Sequence, residues 1–121
     1  MANGFVHREQ IIILMEQFDR YFNRYLDSKS FEVQWVFPQE GLRGAEISVQ
    51  KTKRFKLIKT EFHIKNIDGT ILRKIKVALL EDNEGTLYIK VNGKLACSIE
   101  PMGRITADFL KSLARSIKDA V

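Results

Sequence analysis

The chain has 121 residues, a net charge of +5, and a composition that is 45% hydrophobic and 29% charged. That balance belongs to a globular domain and excludes a disordered chain, while the single cysteine, Cys97, excludes an internal disulfide framework and a multi-thiolate metal site. The opening MANGFVHREQ lacks a secretory pattern, and the longest apolar run, Ile11 to Met15, is too short to cross a bilayer. The expectation is therefore one α+β domain over residues 1–121, in the cytoplasm and without a transmembrane segment.

Residues 6–27 carry apolar side chains at helical spacing: Ile11, Leu14, Met15, Phe18, Tyr21, Phe22, Tyr25 and Leu26. At about 100° per residue they fill one broad face, so the spacing predicts an amphipathic helix ending near Asp27–Ser30. Ile13 falls on the opposite side, among Glu9, Arg20 and Arg24. If it joined Val36 or Leu57 in one exposed patch, it would mark a contact between subunits.

The period then changes from helical to alternating. Phe31, Val33, Trp35 and Phe37 alternate with more polar positions until Pro38, which predicts a strand with one buried face. After a loop over residues 39–44, Ala45, Ile47 and Val49 predict a second strand of the same kind. Residues 54–66 and 70–81 predict two long strands joined at Asp68-Gly69, a pair suited to a two-residue type I′ turn. That turn pairs Ile67 with Thr70. It sets Phe62 against Ile75, Thr60 against Val77 and Ile58 against Leu79 on an apolar face, and His63 against Lys74, Glu61 against Lys76 and Lys65 against Leu72 on the reverse. Counting a three-residue loop instead would bring Phe62 against Lys74, which breaks the sorting.

A further hairpin follows the acidic loop Glu81–Gly85, with Leu87, Ile89 and Val91 on one strand and Leu95, Cys97 and Ile99 on the next. Here a three-residue loop matches Ile89 with Leu95, so the pattern favours a bulged turn with Gly93 in the left-handed region. Thr106 is placed to cap a final helix, with Ile105 and Leu110 as its staple. Its apolar stripe is Phe109, Leu110, Leu113, Ala114, Ile117 and Val121, opposite Lys111, Arg115 and Lys118. The fold class that follows is α+β: an N-terminal helix, an antiparallel sheet of about six strands, and a C-terminal helix, both helices packed on one sheet face. This order is similar to frataxin-like and helix-grip arrangements and to small basic α+β modules that bind RNA, a likeness of order alone from which no functional residue is carried over.

Catalytic chemistry finds little support. The seven glycines are scattered, and His7 and His63 lie on different elements, so neither a phosphate loop nor a metal site is expected, and no cofactor. Cys97 sits on the apolar parity of its strand, which suits a packing thiol. Glu32 and Glu46 are the nearest approach to a carboxylate pair. The expectation is a non-enzymatic protein.

Charge distribution is the informative feature. Residues 51–76 hold nine basic side chains, Lys51, Lys53, Arg54, Lys56, Lys59, Lys65, Arg73, Lys74 and Lys76, against Glu61 and Asp68, so this segment carries +7 and the remainder about −2. With His63 these residues form the candidate site of a binding module that presents a basic hairpin to a polyanion, RNA or DNA. The alternatives are an acidic protein partner, steered by the same charge, with Ile13 as a contact in a homo-oligomer or larger complex, and a small apolar ligand held between sheet and helices.

Overall fold

A computed structural model describes residues 5–16, Arg20, Phe22 and 31–120. The expected run of the first helix through Phe18, Tyr21 and Tyr25 lies outside the described residues. Helix α1 spans Arg8–Glu16 and is followed by strands β1 (Phe31–Val36), β2 (Glu46–Gln50), β3 (Lys53–Asn66), β4 (Ile71–Asp82), β5 (Leu87–Val91) and β6 (Lys94–Ile99), then helix α2 (Ala107–Ala120). Every strand pairing is antiparallel. The sheet runs β1-β3-β4-β5-β6, with β2 also on β3. Long β3 accounts for this. Its first residues take β2 and its last take β1 on the same edge, and the segment between β1 and β2 contains one 3₁₀ turn, Gly41–Arg43.

The two sheet faces sort as the alternation requires. Val33, Trp35, Ile58, Phe62, Ile64, Ile75, Val77, Leu79, Leu87, Ile89 and Ile99 point to one side and join Ile11, Leu14 and Phe22 with Phe109, Leu113 and Ile117 of α2 in one buried cluster. Both helices therefore cover the same face. Within it the Trp35 indole N–H donates to Thr60 Oγ1 at 2.8 Å, and that hydroxyl donates to Val77 O at 3.1 Å, so the two polar groups in the layer satisfy each other. Thr106 caps α2 by accepting the Phe109 N–H, and Ile105 and Leu110 both join the core.

Both glycine turns differ from the expected type, and bulges explain why the registers still sort. At the β3–β4 connection Asn66 N–H donates to Thr70 O, and Gly69 alone of Asp68-Gly69 has positive φ, +90°. This is a three-residue loop with a left-handed glycine, not a type I′ turn. Leu72 is then the extra residue of a bulge: Lys65 pairs with Ile71 in place of Leu72, and Ile64 with Arg73. The loop and the bulge offset each other by one residue, which restores Phe62 against Ile75 and Thr60 against Val77. At β5–β6 the roles are exchanged. Asn92 (φ 52°) and Gly93 (φ 82°) both take positive φ in a two-residue turn closed by Val91 and Lys94. A bulge at Ala96 then sets Ile89 against Cys97 instead of Leu95.

Strand β2 departs from expectation in burial. Ile47 and Val49 have the parity of the core face but are 61% and 64% exposed. Their partners on β3 are Lys56 and Arg54, so at this end of the sheet the neighbouring side chains are long and charged. The turn into β3 uses Lys51 (φ 49°) and Thr52 (φ 69°), a two-residue turn without the glycine or asparagine that would announce it.

Candidate functional site

The face of the sheet turned away from the helices carries the charge. Reading across strands from the register, Lys59 of β3 lies beside Ala78 of β4, and Ala78 lies beside Lys90 of β5. One step along, Glu61 lies between Val36 of β1 and Lys76 of β4, and beyond it His63 lies between Gln34 and Lys74. Neighbouring strands stand about 4.8 Å apart, so Lys59 and Lys90 flank Ala78 at roughly 10 Å from each other. The small methyl of Ala78 leaves the space between them open. A groove of 530 Å³ occupies it, floored by Ala78 and walled by Lys59, Glu61, Lys76 and Lys90, with Val36, Phe37 and Pro38 as an apolar rim.

Lys59, Lys74 and Lys76 are exposed, and Lys90 is half-buried. The acid nearest the lysines is Glu61, whose Oε1 lies 3.3 Å from His63 Nε2. Toward the β2 end the same face becomes apolar: Leu57, Leu80 and Tyr88 lie side by side, and Phe55 meets Tyr88 edge-on at 6.2 Å. Burial, reinforced by the charge of Asp82, raises the Tyr88 phenol above its ordinary value. Phe55 and Tyr88 are thus both on this face, half-buried, at one end of the basic field.

The ten candidate residues do not form one surface. Lys59, His63, Lys65, Lys74 and Lys76 share the outer face, where Lys65 has Glu32 directly across from it. Lys51 and Lys53 sit at the β2–β3 turn, twelve strand positions from Lys65, on the order of 40 Å away along β3. There Lys53 and Arg54 border a hollow shared with Asp82 and Glu84, which offsets their charge. Arg54, Lys56 and Arg73 fall on the helix-side parity, opposite Val49, Glu81 and Ile64. Arg73 stands two positions before Ile75 with no irregularity between them, so the alternation of β4 itself turns it to that side. Ile13 is 49% exposed on α1, whereas Val36 and Leu57 belong to the other side of the sheet, so these three do not join in one patch. Glu32 and Glu46 share the outer face but lie against Lys65 and Leu57, eight positions apart on β3.

Lys90 and the Val36–Pro38 rim were not among the expected site residues. The alternation of Tyr88 and Lys90 against Leu87, Ile89 and Val91 contains the signal, since the apolar match of Leu79 with Ile89 necessarily sets Lys90 beside Ala78. A second polar cluster was also hidden from the sequence. Glu81 of β4 is 1% exposed and accepts the Val6 N–H at 2.7 Å and the His7 N–H at 3.2 Å. The His7 ring, also buried, faces Gly85 O at 2.9 Å through Nε2 and the Gln10 amide oxygen through Nδ1, and Gln10 in turn donates to Gly103 O. This cluster ties the start of α1 to the β4–β5 loop and to the segment before α2.

Burial pushes the Cys97 thiol up to about 12, consistent with a packing role beside the core. Among the described residues no three His, Cys, Asp or Glu side chains converge as a metal site would require, and no helix is long and apolar enough to cross a membrane. Compared with protein-family models, curated proteins and solved structures, the chain matches none.

Proposed function

We propose that the outer sheet face is a non-catalytic binding surface for a polyanion, with Lys59, Lys74, Lys76 and Lys90 as its centre and an RNA or DNA backbone as its ligand. The observation that carries this reading is the placement of Lys59, Lys76 and Lys90 from three adjacent strands around Ala78, with Lys74 two positions beyond Lys76 on the same face and Glu61 the acidic side chain set among them. Cations fixed on a rigid sheet neutralise phosphates without ordering a loop, and each phosphate neutralised releases counterions. The groove beside them, rimmed by Phe37 and Pro38, gives a base or sugar an apolar surface to lie on, the usual companion of backbone contacts in single-strand binding.

The second reading is an acidic protein segment laid across the same lysines, and the observation in its favour is the apolar rim itself, which also fits an aromatic or aliphatic anchor. The discriminating experiment is titration with generic single-stranded and double-stranded nucleic acid at two salt concentrations, using wild type and the Lys59→Glu, Lys74→Glu, Lys76→Glu triple variant. Salt-sensitive binding that the triple variant loses while keeping its circular dichroism supports the nucleic-acid reading. Absence of binding at low salt removes it and leaves the acidic protein partner.

A further inference from the structure

We infer that β2 is the contact strand of a two-fold dimer of this chain, formed by antiparallel pairing of β2 with β2 of a second copy. The two edges of the sheet are treated differently. The β6 edge begins at Lys94, is bent by the bulge at Ala96, has α2 lying against it and is followed by Pro101. These are the devices that prevent edge-to-edge pairing. Strand β2 has neither bulge nor proline, and its one charged residue is Glu46 at its start. Its five residues, Glu46-Ile47-Ser48-Val49-Gln50, pair in regular register with β3 and, among the described residues, with nothing on the other side. Ile47 and Val49 stand 61% and 64% exposed on this open edge.

The register of the β2–β3 hairpin fixes which backbone groups are free. Gln50 and Lys53 close a two-residue turn, and in such a hairpin the closing pair exchanges both hydrogen bonds. Gln50, Ser48 and Glu46 therefore bond to β3, while the N–H and C=O of Ile47 and Val49 point outward. A two-fold axis through Ser48 sets Ile47 of each copy opposite Val49 of the other, as hydrogen-bonded pairs that use those outward groups. The same axis stacks four β-branched side chains on the helix side, where aliphatic cross-strand pairs stabilise a sheet. On the outer side it sets Glu46 opposite Gln50, whose amide donates to the carboxylate, and Ser48 opposite Ser48. Moving the axis one pairing step toward Lys51 faces Ile47 with Lys51, and moving it the other way faces Val49 with Ala45, a smaller side chain outside the strand, so the axis through Ser48 is the one that pairs all four β-branched side chains with one another inside β2.

The occupant is a second copy because the strand is complementary to itself, which a foreign strand has no reason to be. Five residues per copy bury less than the roughly 1,200 Å² typical of permanent complexes, so the dimer dissociates on dilution. The axis stands perpendicular to the sheet and turns both outer faces to the same side. On the reading proposed above, dimerisation would double the basic surface available to a long polyanion.

Sedimentation velocity from micromolar to millimolar protein tests the pairing without any ligand. The expected result is a rise from the 14.0 kDa monomer toward twice that mass, with the midpoint moved about tenfold or more to higher concentration by Val49→Lys, which removes two apolar pairs and adds charge. Ser48→Cys in a Cys97→Ala background supplies an independent reading. The axis places the two new thiols in a non-hydrogen-bonded pair, close enough for a disulfide when oxidised glutathione is added, whereas Glu46→Cys, which faces Gln50 of the other copy, stays uncrosslinked. A wild type that remains monomeric at millimolar concentration together with an uncrosslinked Ser48→Cys protein would overturn the inference. So would a dimer that Val49→Lys leaves untouched, since it must use another surface. Loss of nucleic-acid binding with dimerisation intact bears on the outer lysines and not on β2.

Discussion

Replacing Glu81 probes how the N-terminal helix is held to the sheet. The side chain is 1% exposed, with Oε1 2.7 Å from the Val6 nitrogen and Oε2 3.2 Å from the His7 nitrogen. These N–H groups belong to the start of α1, where donors have no partner within the helix. Glu81→Ala removes both acceptors, buries the donors unpaired and leaves a void. Hydrogen bonds to a charged group contribute about 1.5–3 kcal/mol each. Because the second contact is long, the combined loss is set at roughly 3–5 kcal/mol, a large share of the ~5–15 kcal/mol by which domains are stable. Glu81→Gln keeps the volume and one acceptor but turns an amide nitrogen toward the other donor and removes a negative charge from a helix N-terminus, so about 2 kcal/mol is expected. Urea unfolding followed by Trp35 fluorescence and by circular dichroism reads both values, with the slope unchanged between proteins. Variants within about 0.5 kcal/mol of wild type, the spread of ordinary surface substitutions, would refute the anchoring role. A glutamine costlier than alanine would refute the hydrogen-bond account of it.

Three further predictions concern single residues. Thr52→Gly at the β2–β3 turn should raise stability by about 0.5–1 kcal/mol: a β-branched residue at φ 69° carries strain of ~1–2 kcal/mol, of which the greater entropy of unfolded glycine takes back a part. A loss of stability in urea titration would show that the turn is not strained. Trp35→Phe should cost about 1–3 kcal/mol by the same assay, because it removes the 2.8 Å donor to Thr60 as well as indole packing; an unchanged midpoint would contradict that hydrogen bond. Cys97, with its thiol pushed up to about 12 by burial, should resist iodoacetamide at neutral pH in the native protein and react on unfolding. Fast native alkylation would place the thiol at the surface.

The fold was legible because the period of each segment is clear and because one face of every long strand is apolar. Phe62 opposite Ile75 and Ile58 opposite Leu79 are demanded by burial alone, and the structure keeps them even though the turn that was to enforce them is of another type. Side-chain sorting outranked turn chemistry: Leu72 and Ala96 were pushed out as bulges so that the core pairs stayed matched. A one-residue insertion of this kind leaves no mark in an alternating pattern, so neither bulge could be read beforehand.

For the site, parity identified Lys59, Lys74 and Lys76, which share a strand pair, but not which strand would lie beyond β4. Lys90 entered only through the pairing of β4 with β5. The Lys53–Arg54 end was read as part of the same field because sequence proximity does not show that the β4–β5 loop brings Asp82 and Glu84 beside it. Glu81, written in the sequence as one acid of a polar loop, became the buried anchor of a helix that begins 73 residues earlier at Arg8, a contact of tertiary origin.

The central claim is that the outer face binds phosphates through four lysines, and the salt dependence of binding measures it directly. If Lys59, Lys74, Lys76 and Lys90 each neutralise one phosphate, the logarithm of affinity should fall against the logarithm of salt with a slope of about −2.8 for single strands or −3.6 for duplex, and each Lys→Gln substitution should lessen that slope by roughly 0.7–0.9. A slope near zero, or one that the four substitutions leave unchanged, would contradict the account.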